Sequence, residues 1–271
     1  MPHRLPIGRA LIVAPHPDDE AIAAGGLIQR VIAAGSVVSV VLVTDGENNP
    51  WPQRYQERKW FITTSDRQRW GAMRRTEALA SLAVLGVESE NARFLQFPDQ
   101  AIMSLARRGD DRLLAAFRDL LRTFRPTLVV SPSALDLHAD HRAISWYVRS
   151  AVRDVEAELP IAITTYIVHG GAPESDLLSR IELSECEMMR KREAIECHRS
   201  QLLLSRERFL AHARRTESFY KADPSVGTVE SAATTLLTSI RHSALVVLGR
   251  PRREPENVET FPADDARTRH V

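Results

Sequence analysis

The sequence predicts a single-domain α/β fold, with a Rossmann-like, open and mostly parallel sheet that carries helices on both faces. Two observations predict this fold. Short, continuously apolar runs of strand length recur along the chain, and such runs are typical of strands that are covered on both faces. Helical stretches alternate with these runs, and this alternation produces parallel sheets with right-handed crossovers.

The elements follow one another in this order. A first strand at residues 10–14 leads into a helix from Glu20 that ends near Gly35, and residues 37–43 form a second buried strand. Further strands are predicted at residues 94–97, 127–131 and 161–168, and further helices at 70–85, 110–124 and 142–158. From residue 185 the chain is predicted to be helical, and the apolar run at 244–248 fits an edge strand or a buried helical turn.

We predict one domain over residues 1–248, because a chain of 271 residues can bury a sizeable core as one unit. Residues 48–69 are polar and aromatic without a clear period, and we interpret them as an insertion. A lid over a site and a solvated loop both fit this segment. Residues 249–271 are rich in Pro, Arg, Glu and Asp, which predicts a flexible tail.

Composition and charge restrict the partners. The formal net charge is +1, from 36 basic and 35 acidic side chains, so no strong field favours a nucleic acid. The first residues lack the long apolar segment of a secretion signal, and no window reaches the roughly eighteen apolar residues of a membrane span. We therefore expect a cytoplasmic protein with a small-molecule substrate and no transmembrane segment, and the oligomeric state stays open.

Two polar clusters follow predicted strands at their carboxyl ends, where open parallel sheets bind ligands. Residues 15–20 read Pro-His-Pro-Asp-Asp-Glu, and residues 136–141 read Asp-Leu-His-Ala-Asp-His. Taken alone, the first cluster could be an acidic helix cap and the second a pair of surface histidines. Together they could complete a metal site from His16, Asp19 and His141. Two imidazoles and a carboxylate suit zinc, and they also suit ferrous iron or another divalent metal.

These motifs resemble the PIG-L or LmbE-like deacetylase family, and the resemblance covers roughly residues 10 to 220. Besides the two clusters it rests on shorter motifs, namely Thr44-Asp-Gly-Glu47, Arg74-Arg-Thr-Glu77, Phe97-Pro-Asp99, Arg125-Pro126, and Lys191 with His198-Arg-Ser-Gln201. The first cluster and the His-x-x-His pattern are specific in combination, and the shorter motifs are supportive.

The resemblance implies a role for each matching position. His16, Asp19 and His141 would hold zinc, and Asp18 would be the general base. His138 would stabilise the oxyanion as a cation or act as an acid, with Asp140 orienting it from behind. Arg74 and Asp99 would contact the sugar, and Glu47 would lie near the site.

The implied function is metal-dependent removal of an acyl group, most simply acetyl, from the 2-amino position of a glucosamine-type sugar. One alternative is an amidase that acts on a larger conjugate, with residues 48–69 shaping its pocket. Another is a metal- or carbohydrate-binding protein without turnover, although such a protein would not need the base Asp18 beside the ligand Asp19. A nucleotide-binding domain is disfavoured because the first strand is not followed by a glycine-rich phosphate loop.

Overall fold

The computed structural model describes residues 8–222. Its strands are β1 (Arg9–Ala14), β2 (Val37–Thr44), β3 (Ala92–Phe97), β4 (Leu128–Pro132), β5 (Ala162–Tyr166), β6 (Leu177–Glu182) and β7 (Thr216–Lys221). Its α-helices are α1 (Asp19–Ala33), α2 (Pro50–Glu57), α3 (Thr64–Leu85), α4 (Ile102–Arg107), α5 (Arg112–Phe124), α6 (Ala139–Val155), α7 (Glu185–Cys197) and α8 (Arg199–Leu210). Among these, no helix is long and apolar enough to span a bilayer.

All seven strands form one sheet in the order β3-β2-β1-β4-β5-β7-β6. The strands from β3 to β5 are parallel, and β6 and β7 add an antiparallel edge. Ile12 of β1 pairs with Val40 on one side and with Val130 on the other. The strand order therefore reverses between β1 and β4, and the loops that follow these two strands are neighbours at the ligand-binding edge.

The central strands are covered on both faces, as their apolar runs predict. In β1, Ala10, Ile12 and Ala14 belong to a core formed with α1, α3 and α7. Leu11 and Val13 belong to a second core, formed with α4, α5 and α6. Successive side chains of a strand point to opposite faces, so one five-residue run contributes to both cores.

The structure corrects the sequence prediction at the segment 48–69 and at the sheet edge. Residues 48–69 are largely helical, because they contain α2 and the first turn of α3. The α3 helix begins earlier than predicted, at a capping box in which Thr63 and Asp66 satisfy each other's backbone N–H groups. Strands β6 and β7 were not predicted, since their polar, half-exposed sequences lack a continuous apolar run. The run at 244–248 and the tail at 249–271 lie outside the described residues.

Candidate active site

Two loops converge at the switch point between β1 and β4. The β1 loop (residues 15–18) carries His16 and Asp18, and the β4 loop (residues 133–138) ends at His138, the N-cap of α6. The ring centroid of His16 lies 4.8 Å from that of His138 and 5.3 Å from that of His141. The two sequence clusters, which are about 120 residues apart in the chain, therefore form one site.

Asp19 links the imidazoles of the two clusters. Its Oδ2 atom lies 3.2 Å from Nδ1 of His16 and 3.3 Å from Nε2 of His141. Asp19 and His141 are buried, at 2% and 0% exposure. Burial disfavours the charge on Asp19, but the imidazoles of His141 and His16 lower the pKa of its carboxyl well below the usual range. The site thus keeps a carboxylate between two ring nitrogens.

The donor atoms of this site fit a bound cation. Nε2 of His16 and both ring nitrogens of His141 are buried, and among the described residues they make no hydrogen bond of acceptable geometry. Two sets of three residues place one potential ligand atom each within 4.8 Å of one another: His16, His138 and His141, and His16, Asp99 and Asp140. Buried, unsatisfied nitrogens beside carboxylates suit a divalent metal, because the metal satisfies both.

The predicted metal ligands His16 and His141 are members of the first of these sets, whereas Asp19 joins them through its two carboxylate contacts. The pKa of His141 is raised to about 9, because Asp19 and Asp136 outweigh the burial that lowers it. Asp19 and Asp136 thus place negative charge at both nitrogens of the His141 ring. A bound cation would supply compensating charge.

Asp18 faces the cavity from the end of the β1 loop. Its Oδ2 atom accepts a hydrogen bond of 3.0 Å from Nη2 of Arg74. Burial raises the pKa of Asp18 to about 7, and the Arg74 guanidinium opposes this rise. A carboxyl with a pKa near neutrality, next to a potential metal ligand, suits proton transfer.

The guanidinium of Arg74 makes three hydrogen bonds inside the protein, two of them to the β1 loop. Nη1 donates to the carbonyl of Gly46 at 2.8 Å, and Nη2 donates to the carbonyl of Pro17 at 2.5 Å as well as to Asp18. Gly46 has φ +63°, and a Cβ built on it would lie 1.6 Å from Nη1 of Arg74. Arg74 does line the cavity, but the predicted sugar contact competes with three bonds inside the protein.

His138 lines the same cavity, and its ring orientation is fixed by the start of α6. The backbone N–H of Asp140 donates to Nδ1 of His138 at 3.3 Å, so a neutral ring carries its proton on Nε2. Burial, followed by the neighbouring His16 and His141, lowers the pKa of His138 to about 4. These surroundings disfavour the expected imidazolium and favour a neutral ring that donates from Nε2.

Asp140 does not lie behind His138 as expected. Its carboxylate accepts the backbone N–H groups of Gln100 and Ile102, at 2.7 and 3.1 Å, and lies 3.8 Å from Nε2 of His16. The contact between Asp140 and His138 comes from the backbone N–H instead. Asp140 therefore ties α6 to the start of α4, since a carboxylate at a helix N-terminus readily accepts nearby N–H groups.

Asp136, which was not assigned a role from the sequence, contacts both His138 and His141. Its Oδ1 atom accepts the backbone N–H of His138 at 2.8 Å, and its Oδ2 atom lies 3.2 Å from Nδ1 of His141. Oδ2 also accepts the N–H groups of Val168 and His169. A carboxylate that contacts the second ring nitrogen of a metal-binding histidine fixes the orientation of that ring. The position of Asp136 in the cluster at 136–141 was the sequence signal that could have identified it.

Asp99 and Glu47 form a connected pair on the Nε2 side of His16, whereas Asp19 lies on the Nδ1 side. Oδ1 of Asp99 lies 3.2 Å from Nε2 of His16, and Oε1 of Glu47 accepts the backbone N–H of Asp99 at 2.9 Å. Asp99 lines the cavity, and Glu47 lies behind it. Burial disfavours the Asp99 carboxylate, but His16 lowers its pKa to about 2. Asp99 thus presents a negative charge to the cavity.

The cavity above these residues has a volume of about 670 Å³. Its lining includes Trp51 and Pro52 of α2, and Arg208 and Phe209 of α8. Trp51 is 60% exposed. His169, another residue that the sequence analysis missed, also lines the cavity, and its ring centroid lies 5.3 Å from that of His141.

Sequence comparisons identify related proteins. The family model described as GlcNAc-PI de-N-acetylase (PIG-L) matches residues 11–152, just over half of the chain. The 2'-N-acetylparomamine deacetylase of Streptomyces fradiae is 31% identical over 156 residues, which cover 55% of this chain and 54% of that protein. The 1D-myo-inositol 2-acetamido-2-deoxy-alpha-D-glucopyranoside deacetylase of Mycobacterium sp. strain KMS is 27% identical over 188 residues, covering 64% and 59%. The chain thus spans little more than half the length of these relatives.

Solved structures share the fold. The N,N'-diacetylchitobiose deacetylase of Pyrococcus horikoshii matches with a TM-score of 0.59 and 23% identity, over 79% of this chain and 83% of that chain. The 4-carboxy-2-hydroxymuconate hydratase GalB of Pseudomonas putida KT2440 matches with the same TM-score and 19% identity, over 94% and 100%. Because these two proteins differ in chemistry, the shared fold does not select a reaction, and function must be argued from the site.

Proposed function

Because the chain belongs to the GlcNAc-PI de-N-acetylase (PIG-L) family, we propose that it is a metal-dependent hydrolase that removes the N-acetyl group from a glucosamine-type sugar or sugar conjugate. One observation carries the proposal. The buried carboxyl of Asp18 faces a cavity directly beside Asp19, which links the ring nitrogens of His16 and His141. A base adjacent to a potential metal ligand is what hydrolysis by an activated water requires.

We assign the metal to His16, Asp19 and His141, and zinc is the metal we propose for this set of nitrogen and oxygen donors. A bound divalent cation supplies Lewis acidity, which favours deprotonation of water and polarises an amide carbonyl. With three protein ligands, the metal would keep a coordination position for water or substrate. His138 lies close enough to serve as a ligand, but its Nε2 proton in the neutral form makes it a donor in our assignment.

Each remaining step belongs to a side chain of the protein. Asp18 accepts the proton of the attacking water, and its pKa near 7 lets it both take this proton and return it to the departing amine. His138 donates from Nε2 to the oxyanion that develops on the carbonyl oxygen. Arg74 keeps Asp18 in place through its bond to Oδ2. Asp99 presents a carboxylate that can accept hydrogen bonds from sugar hydroxyl groups.

The substrate class rests on what the relatives act on. The two sequence relatives are named as deacetylases of 2'-N-acetylparomamine and of 1D-myo-inositol 2-acetamido-2-deoxy-alpha-D-glucopyranoside. A cavity of about 670 Å³ lies within the roughly 300–1,000 Å³ that small-molecule sites occupy. Trp51 offers an exposed indole at the cavity wall, and aromatic faces pack well against sugar rings. An amidase acting on a larger conjugate would use the same wall.

The decisive experiment incubates the zinc-loaded protein with N-acetylglucosamine, its simple glycosides and its disaccharides, and measures acetate and free amine. We expect equal amounts of both products from at least one sugar. The matched control is Asp18→Asn, which should bind metal and release both products more slowly, by roughly 10²-fold or more. Release of a larger acid from an N-acyl conjugate, without acetate from any sugar, would favour the amidase alternative. Metal binding without any product would favour a binding protein.

A further inference from the structure

Asp18 has a backbone conformation that ordinary residues avoid. Its φ is 129° and its ψ is −31°, although it carries a side chain. Such a conformation costs free energy and persists only where the surroundings hold it. It also turns the Asp18 carboxyl into the cavity while α1 begins at the next residue. Whatever holds this conformation therefore sets the position of the proposed base.

Glu20 holds the backbone of Asp18 from within α1. Its Oε2 atom accepts the N–H of Asp18 at 3.0 Å. The carbonyl of Asp18 accepts the N–H groups of Ala21 and Ile22, at 3.1 and 2.9 Å. The peptide on each side of Asp18 is thus fixed, because one hydrogen bond holds its N–H and two hold its carbonyl. Removing the carboxylate would leave a buried N–H without its acceptor.

His198 in turn holds Glu20. Its Nε2 atom lies 3.1 Å from Oε1 of Glu20, and both residues are fully buried. His198 occupies the junction between α7 and α8, so the pair connects this junction to the β1 loop. Neither residue lines the cavity. The pair reaches the cavity through Asp18, whose N–H donates to Glu20.

We propose that Glu20 and His198 are positioning residues, which hold Asp18 in its strained backbone conformation so that its carboxyl reaches the attacking water. This inference rests on the proposed function for the role of Asp18. The competing explanation is that the pair only packs α7 and α8 against α1. The two explanations differ in one respect: a positioning pair loses its effect on turnover once the Asp18 carboxylate is gone, and a packing pair does not.

The test is a double-mutant cycle between Glu20→Met and Asp18→Asn. Methionine has a similar size but cannot accept the N–H of Asp18. We expect Glu20→Met to lower kcat by roughly 10- to 10²-fold, as small misplacements of a reacting group do, with little change in KM and with full metal stoichiometry. In the Asp18→Asn background, Glu20→Met should lower kcat no further. A decrease of the same size in both backgrounds would overturn the proposal.

Two further variants separate positioning from packing. Glu20→Gln retains an oxygen for the N–H of Asp18 and an amide for His198, so kcat should stay near the wild-type value. Ser200→Ala removes the bond of 2.6 Å between α8 and Glu77 of α3, which packs the same helix but does not contact Asp18. It should lower Tm and leave kcat unchanged. A fall in kcat for Ser200→Ala comparable to that for Glu20→Met would support packing alone.

A structural measurement keeps the inference independent of the substrate. If the wild-type protein deacetylates no sugar in the panel, the proposed function fails, but a crystal structure of Glu20→Met still tests the positioning. We expect Asp18 to leave its positive φ in that structure. An unchanged φ of Asp18 would overturn the inference. If Glu20→Met does not fold, His198→Leu replaces it in both experiments, with the same expected results at smaller size.

Discussion

The two loops of the site are held in different ways. The β1 loop is held by residues that are remote in the chain, since Arg74 comes from α3 and His198 from the junction of α7 and α8. The β4 loop is held by its own neighbours and by the segment after β5, where the N–H groups of Val168 and His169 donate to Asp136. Asp136 accepts the N–H of His138, and the Arg142 guanidinium donates to the carbonyls of residues 136 and 137.

Backbone geometry explains the difference. His138 has ordinary extended angles, with φ −78° and ψ 130°, so an N-cap and a turn are enough to fix it. Asp18 has φ 129°, and this strain requires support from outside the loop. We infer that the loop carrying the proposed base depends on helices remote in the chain, whereas the loop carrying the proposed oxyanion donor is supported by α6 and by the segment after β5.

The largest expected effect comes from His141, which joins the two loops. Its Nε2 atom lies 3.3 Å from Asp19, and its Nδ1 atom lies 3.2 Å from Asp136. His141→Ala should abolish stoichiometric metal binding and turnover together, because only two of the proposed ligands remain. Metal analysis and calorimetry measure the loss of metal binding, and initial rates measure the loss of turnover. His169→Ala is the matched control and should retain the metal. Full metal content and turnover in His141→Ala would show that the ligand set is wrong.

The next effect separates the base from the ligand beside it in the β1 loop. Asp18→Asn keeps the size of the side chain and should keep the metal, but an amide cannot accept the proton of water. We expect kcat to fall by roughly 10²-fold or more. Steady-state kinetics with metal analysis on the same sample provides the check. A variant that retains near-normal kcat would place the base elsewhere.

The fold and the convergence of the two clusters could be predicted from local sequence. Continuous apolar runs identified the central strands, and strand ends identified where polar residues would meet. The edge strands β6 and β7 were missed because their sequences have neither a continuous apolar run nor a regular alternation of polar and apolar residues. Helix α2 was missed because its eight residues include two prolines and an exposed tryptophan.

Within the site, sequence reasoning identified residue types but not all of their partners. Asp140 was expected to orient His138, but the helix start directs its carboxylate towards Gln100 and Ile102. The carboxylate that lies against a histidine ring is Asp136, and that ring is His141. The contacts of Glu20 with His198 and of Arg74 with Asp18 join residues 178 and 56 positions apart. No local pattern encodes such contacts.

A third effect concerns the proposed donor in the β4 loop. If neutral His138 donates from Nε2 to the oxyanion, His138→Ala should lower kcat and kcat/KM alike, by roughly 10²- to 10³-fold, with the metal retained. His138→Gln, whose side-chain amide offers an N–H, should recover part of the loss. Metal content and initial rates measure both variants. Loss of the metal in His138→Ala would show that this histidine is a ligand, as its place in the first set of ligand atoms allows.

The smallest effect tests whether Arg74 supports the β1 loop or binds the sugar. Arg74→Lys keeps the positive charge but cannot donate to Gly46, Pro17 and Asp18 at once, because lysine lacks the planar fork of arginine. If Arg74 holds the loop, Asp18 is misplaced while the sugar is bound as before. We therefore expect kcat to fall by roughly tenfold with KM unchanged.

If Arg74 instead binds the sugar, Arg74→Lys should raise KM and change kcat little, since a contact made equally in substrate and transition state affects binding alone. The matched control is Arg75→Lys. Arg75 is the next residue of α3, pairs with Asp45 and does not line the cavity, so its variant should change neither constant. A rise in KM for Arg74→Lys without a rise for Arg75→Lys would show that Arg74 binds the substrate. His198, acting through Glu20, would then be the remote support of the β1 loop.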